Sequence, residues 1–344
     1  MLLKRRNYLK RLLLAVLILA QNSLKSNENT NKSFKDLFVH DEPSRTTKIL
    51  IDSIFLKYHI SPNHPETPKR IEYIKKLLKK FELEKIISKI NLDIDAEFWI
   101  NKLHTKHHID SIKKNAPLAH KVSEAAVKAA LTSIDMLMNN ICDNVFCATR
   151  PPGHHAINDG REEGFCYYNN IAIAAKYAQQ KYGLKKVLIV DWDYHHGNST
   201  EYMFYDDPSV LFFSTHDQFA YPGTGDPNKK GIGLGEGFNI NIHLPCGAND
   251  EMILNKYKEI LLPAAKKFKP DIVLVSAGFD SKKNDPLGCF DITDDGFINL
   301  TKILMEIADE HCESRIISIL EGGYNVESNA YATVSHILTL QGKF

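Results

Sequence analysis

The apolar run Val187-Leu188-Ile189-Val190 passes without a break into Asp191-Trp192-Asp193-Tyr194-His195-His196-Gly197-Asn198. The run reads as a buried β-strand. Two carboxylates and two imidazoles at the end of such a strand are costly to desolvate unless a partner meets them. A bound cation is such a partner. Alternate residues of an extended chain face the same way, which is expected to put Asp191, Asp193 and His195 on one side. Carboxylate oxygen and imidazole nitrogen are donors that zinc takes. The stretch therefore calls for a fold in which a buried strand ends at a polar, metal-binding pocket.

The chain is long enough, at 344 residues with 43% hydrophobic content, to bury a large core, and α/β folds of this length often form one domain. A formal net charge of +1 removes the electrostatic case for nucleic-acid binding through a basic face. Cys142, Cys147, Cys166, Cys246, Cys289 and Cys312 include no Cys-x-x-Cys pair. Free, mostly buried thiols are the expectation for them. The histidines include the adjacent pairs His107-His108, His154-His155 and His195-His196.

Met1 to Arg11 is basic, and Leu12 to Ala20 is apolar with a small residue at its end. This resembles a secretory signal peptide over residues 1–21 and is too short to span a bilayer. Residues 22–44, rich in Asn, Ser and Lys, read as a flexible linker. The folded domain is then expected over residues 45–344. Export to a periplasm or the medium follows if the leader acts as a signal, and a cytoplasmic location otherwise.

Ile49-Leu50-Ile51 opens the domain as a strand. The prolines of Tyr58 to Arg70 make that stretch a loop. Ile71, Ile74, Leu77, Leu78 and Phe81 recur at helical spacing. His104-Thr105-Lys106-His107-His108 reads as a capped, partly buried surface turn before a short helix. Ser123 to Met138 is helical, and Val145 to Ala148 is a strand that stops at Arg150-Pro151-Pro152-Gly153-His154-His155. A helix from Ile171 to Tyr182 leads to the strand that ends at Asp191. Further strands are expected at Val210 to His216, Phe238 to Ile242, Asp271 to Asp280 and Ile316 to Leu320, with helices at Ile253 to Phe268 and Phe297 to Glu310. The glycines from Gly231 to Gly237 precede a strand and not a helix, so a phosphate-loop reading fails its context. Strands alternating with helices indicate a single α/β domain around a largely parallel sheet.

In a parallel sheet the strand ends share one edge. His154 and His155, then Asp191, Asp193 and His195, then Asp280, then Tyr324 are thereby expected around one crevice. Asp193, His195 and Asp280 make a three-ligand zinc site with an open position, which is the catalytic arrangement. Amide hydrolysis there needs a base that later serves as acid, a task suited to histidine. It also needs a donor facing the developing oxyanion, a role that the Tyr324 hydroxyl can fill.

These stretches resemble the histone deacetylase family of zinc amidohydrolases. Arg150 to His155, Gly164-Phe165-Cys166, Asp191 to Asn198, Pro222-Gly223-Thr224-Gly225, Ala277 to Asp280 with Asp285-Pro286, and Glu321-Gly322-Gly323-Tyr324 appear in the family's order. His64-Pro65-Glu66 and the Asp-Trp-Asp-x-His-His-Gly-Asn form look most like its class II branch and bacterial relatives. The resemblance implies the three-layer arginase-deacetylase fold, with one zinc ion on Asp193, His195 and Asp280. It implies His155 as general base and acid, with Asn198 behind it. It implies His154 as electrostatic partner held by Asp191, and Tyr324 as the carbonyl-polarising hydroxyl. It implies substrate contacts from the Gly164 backbone and a tunnel wall of Phe165 and Tyr221. A structural potassium ion is implied on Asp191, on backbone oxygens of Asp193 and His195, and on Ser214 and Thr215.

Asn198 stands where another branch has Asp, and an uncharged partner suits a base that starts neutral. Tyr221 stands where many members have Phe. Polyamine-specific relatives carry Glu just after Asp-Pro, where this chain has Leu287, so the expected substrate is acyl-lysine in a protein or peptide. Deacetylation of acetylated polyamines is the alternative within the superfamily. A non-catalytic acyl-lysine binder fits poorly with a full set of ligands, histidines and Tyr324. Oligomeric state is not legible here.

Overall fold

The computed structural model describes residues 43–344; the leader expected at 1–21 and nearly all of the linker expected at 22–44 lie outside them. The strands are β1 (Thr47–Leu50), β2 (Ile87–Ser88), β3 (Asn144–Cys147), β4 (Val187–Asp191), β5 (Val210–His216), β6 (Asn239–His243), β7 (Ile272–Ala277) and β8 (Ile316–Leu320). They form one open sheet in the order β2-β1-β3-β8-β7-β4-β5-β6. Every neighbouring pair is parallel. β3, β4, β5, β7 and β8 are buried at every position. That unbroken burial is what helices on both faces of a parallel sheet require, and it explains the continuous apolar runs.

The helices are α1 (Lys69–Lys80), α2 (Ala96–Ile100), α3 (Lys106–Asn115), α4 (Pro117–Met138), α5 (Asn170–Tyr182), α6 (Asn198–Phe204), α7 (Asp250–Lys256), α8 (Leu262–Phe268), α9 (Asp294–His311) and α10 (Val326–Leu340). Asn169 caps α5 by accepting from Ala172 N, and Asn325 caps α10 by accepting from Ser328 N. Each cap ends a loop that leaves the sheet's C-terminal edge and satisfies a helix N–H that would otherwise lack a partner. Among the described residues no helix is long and apolar enough to cross a membrane.

β3, β8, β7 and β4 are consecutive in the sheet. Their register pairs Cys147 with Ile319, Ile319 with Ser276 and Ser276 with Asp191. The four strands therefore end at one level, and the loops that follow them converge.

Four local expectations are corrected. First, the helix expected from Ile253 to Phe268 is interrupted by a π-helical turn, Tyr257–Leu261, between α7 and α8. Pro263 has no N–H for the carbonyl one turn back, and its ring crowds that carbonyl, so the turn widens. Second, His104 and His108 are buried, at 3% and 0% exposure, although Thr105 caps α3 as expected. Third, Cys246 and Cys289 are not free thiols but form a disulfide, with Cα atoms 5.1 Å apart. They are 43 residues apart and follow strands β6 and β7, which are not neighbours; only the meeting of two loops, marked by Gly247 N–H donating to Cys289 O, brings them together. The other four cysteines are free and buried, and burial pushes the Cys142, Cys147 and Cys312 thiols up to about 12. Fourth, β4 ends at Asp191, so the alternation of an extended strand does not carry on through Asp193 and His195.

Candidate metal and catalytic site

The loops after β4 and β7 bring Asp193, His195 and Asp280 together, with one ligand atom from each within 4.8 Å of the others. His195 Nδ1 lies 3.1 Å from Asp193 Oδ1 and 3.0 Å from Asp280 Oδ2. Backbone amides fix both carboxylates: Asp193 Oδ2 accepts from Gly322 N at 2.8 Å, and Asp280 Oδ1 accepts from Tyr194 N at 2.8 Å. A Cβ on Gly278 would sit 1.9 Å from Asp193 Oδ2, so the backbone there passes too close for any side chain. Asp191 does not join the triad. It lies beneath it and bonds His154.

Both aspartates are fully buried. Burial and then the Asp193 charge push the Asp280 carboxyl up to about 7. Asp193 itself is driven low, because the charges of His154 and His195 outweigh the cost of its burial. Two buried carboxylates around one imidazole are a donor set that a divalent cation would fit.

His154 and His155 follow β3, with ring centroids 3.9 Å apart. Their environments push them in opposite directions. His154 Nδ1 pairs with Asp191 Oδ2 at 3.0 Å. Burial opposes its charged form, but the Asp193 and Asp191 carboxylates prevail and hold it well above the usual histidine range. His155 is driven well below that range by burial, then by the charges of His154 and His195. Its Nδ1 pairs with Asn198 Oδ1 at 2.8 Å. With Nδ1–H donating to that amide oxygen, Nε2 is left to accept a proton.

Aromatic rings flank the triad. The Tyr221 ring meets His155 edge-on at 5.2 Å, and Phe165 meets Tyr324 at 5.7 Å. Gly164 turns with φ +54°, and a Cβ there would lie 2.3 Å from His155 Cδ2. Burial raises the Tyr324 phenol well above its ordinary range, so it stays protonated and can donate. Asp285 ties the Tyr324 loop to Leu287: its Oδ2 accepts from Tyr324 N at 2.7 Å, and its Oδ1 from Leu287 N at 2.9 Å. Leu287 is 37% exposed. Of the residues expected to hold potassium, Asp193 and His195 belong to the triad, and Asp191 Oδ1 accepts from Asp193 N at 3.0 Å. Ser214 Oγ pairs with His216 Nδ1 at 2.8 Å, and Thr215 Oγ1 is buried without a hydrogen-bond partner among the described residues.

Beneath the site lies a layer that the sequence reading did not find. Arg150 and Glu66 are fully buried, with Arg150 Nε 2.7 Å from Glu66 Oε1. Arg150 Nη1 also donates to the carbonyls of Phe55 and Tyr58. Arg70 donates to the carbonyls of Gly323 and Glu321 and stands 5.1 Å from the Tyr324 ring. Glu321 Oε2 accepts from Gly153 N at 2.6 Å, next to His154. The lone signal was that Glu66, Arg150 and Glu321 each fall inside a motif. His104 and His108 form a second hidden layer: His104 Nε2 accepts from Asn169 N, while His108 takes Gly160 N–H on Nδ1 and meets Tyr167 O through Nε2. They hold both ends of the loop that bears Gly164 and Phe165.

The fold and site define an α/β protein with an Asp-His-Asp triad that could hold a metal ion at the sheet's C-terminal edge, its carboxylates buried and two adjacent histidines beside it. Residues 64–340 match the histone deacetylase domain, and the chain belongs to the histone deacetylase family. Histone deacetylase 10, chloroplastic, of Oryza sativa subsp. japonica is 36% identical over 331 residues, spanning 87% of this chain and 74% of that one. Polyamine deacetylase HDAC10 of Mus musculus is 42% identical over 223 residues, 63% of this chain and 33% of that one. The crystal structure of the HDA15 HD domain superposes with a TM-score of 0.80 at 33% identity, covering 86% of this chain and 88% of that one.

Proposed function

We propose that this deacetylase is a zinc-dependent lysine deacetylase that removes acyl groups from the ε-amine of lysine in a protein or peptide. The observation that carries the reading is the Asp193-His195-Asp280 triad with its buried carboxylates, set beside two histidines, one biased to the cationic form and one to the neutral. Zinc held by those three residues would polarise the amide carbonyl and acidify water. His155 starts neutral, takes the proton from water at Nε2 and returns it to the leaving amine. His154, kept cationic by Asp191 and Asp193, offsets negative charge as it develops. Tyr324 donates its hydroxyl to the carbonyl oxygen. Phe165 and Tyr221 flank the acyl-lysine stem and exclude water, and the Gly164 backbone orients the amide.

A potassium ion under the site, on Asp191, Ser214, Thr215 and the carbonyls of Asp193 and His195, fits the unpartnered Thr215 hydroxyl. His216 Nε2–H donates to Gly225 O, so Nδ1 accepts from Ser214 and leaves that oxygen's lone pairs free. Residues 1–21 are proposed as an export signal; an intact Met1 on the mature cellular protein would refute a cleaved one.

The test is turnover of an acetyl-lysine peptide and of an acetylated polyamine, side by side, with zinc. Preference for the peptide supports the lysine reading and the diagnostic value of Leu287. Preference for the polyamine keeps the chemistry and moves the substrate.

A further inference from the structure

Tyr221 and Glu163 come from different segments that meet above the metal site. Glu163 belongs to a turn closed on itself: its N–H donates to Cys166 O at 3.0 Å, and Cys166 N–H donates to Glu163 O at 2.8 Å. That turn presents Gly164 and Phe165. Tyr221 lies between β5 and β6, with its ring edge-on to His155 and 6.3 Å from His195. Its hydroxyl donates to the Glu163 carboxylate, joining residues 58 apart in sequence.

We propose that the Tyr221–Glu163 hydrogen bond is a strap that sets the width of the channel, which makes Glu163 a determinant of the cross-section of substrate stem admitted. The inference rests on the channel reading above. Tyr221 is 44% exposed, and a half-exposed ring with no anchor samples several rotamers. A phenol donating to a carboxylate makes a charge-assisted bond, stronger than one between neutral groups. The acceptor is itself fixed by the closed turn, and Arg161 stands 3.9 Å from its other oxygen. Strapped, Tyr221 stays against His155, facing the Phe165–Tyr324 pair. A slender methylene stem passes between Phe165 and Tyr221. A stem that carries a ring needs Tyr221 to swing out, and that breaks the bond.

The test uses two zinc-chelating hydroxamates, one on a straight alkyl stem and one on a para-phenylene stem. Their dissociation constants are measured by calorimetry on the zinc-loaded full-length protein. Wild type is expected to prefer the alkyl compound. Tyr221→Phe and Glu163→Ala should each cut that preference by roughly fivefold to tenfold. The double variant should cut it no further, since both changes remove the same bond. Glu163→Gln keeps an acceptor oxygen without its charge and should fall between wild type and Glu163→Ala. An unchanged preference in either single variant, or additive losses in the double, overturns the strap while leaving the metal site intact. Wild-type protein that binds neither compound overturns the channel reading and the strap with it. Neither compound is a substrate, so the choice between lysine and polyamine does not enter.

Discussion

The layer beneath the metal site and the rim above it are built on opposite terms. Below, Glu66, Arg70, Arg150 and Glu321 are all fully buried, and each charge meets a partner or a backbone carbonyl or amide. Above, Tyr221 and Leu287 are exposed, and few bonds hold them. The lower layer fixes where the His154-His155 and Tyr324 loops end, so it serves the chemistry. Under the proposed function, the rim would meet the part of the substrate that does not react and so would serve selectivity. Changes below should therefore cost folding or turnover, and changes above should alter preference alone.

The largest effect is expected from Arg150→Met. It leaves the buried Glu66 carboxylate with Arg70 Nη1, at 3.4 Å, as its remaining cation, at a cost of about 3 kcal/mol; urea unfolding should show it, whereas Leu287→Ala at the rim should stay within about 0.5 kcal/mol. Next comes Tyr324→Phe, which should lower kcat by about 10²–10³ with the urea midpoint unchanged. An equal loss of stability would make the hydroxyl structural.

Acid should weaken the molecule through buried histidines away from the rim. Burial lowers His104, His216 and His336 to about 3. The unfolded chain binds those protons near 6.5 and the folded chain does not, so stability is complete above that pH and falls below it, down toward 3. The slope is about 1.4 kcal/mol per pH unit for each histidine. Urea unfolding at pH 7.5 and pH 5 measures it, and equal stabilities would show that these rings are not held neutral.

His155 is held below the usual histidine range, so kcat/KM should rise with pH through a midpoint under 6.5 and then level off. Asn198→Asp puts a carboxylate on Nδ1, favours the protonated ring and should move that midpoint up. A midpoint that stays put would separate His155 from the rate-limiting proton transfer. The smallest effect belongs to the rim: Leu287→Glu should shift preference toward an acetylated polyamine by roughly twofold to fivefold, the worth of one exposed ion pair, with stability unchanged.

The legible and illegible parts of the sequence divide along similar lines. Asp193, His195 and Asp280 could be found because each stands just after an apolar strand, a local pattern. A largely parallel sheet followed from strands alternating with helices, and the structure makes every pair parallel. The Glu66–Arg150 pair could not be found, because its partners are 84 residues apart and neither residue looks unusual where it stands. His104 and His108 looked like surface residues, since their partners, Asn169, Gly160 and Tyr167, lie on a distant loop. The Cys246–Cys289 bridge and the π-helical turn before Pro263 depend on how loops and turns meet in space.

Hydrolysis of an acyl-lysine amide by the triad and the two histidines, with zinc, is the proposal on which the rest depends. The direct measurement is acetate release from an acetyl-lysine peptide by protein stripped of metal and then titrated with zinc. The account predicts no release without metal, activity that saturates at one zinc per chain, and its loss in Asp280→Asn. Undiminished release from metal-free protein, or full activity in Asp280→Asn, would contradict it.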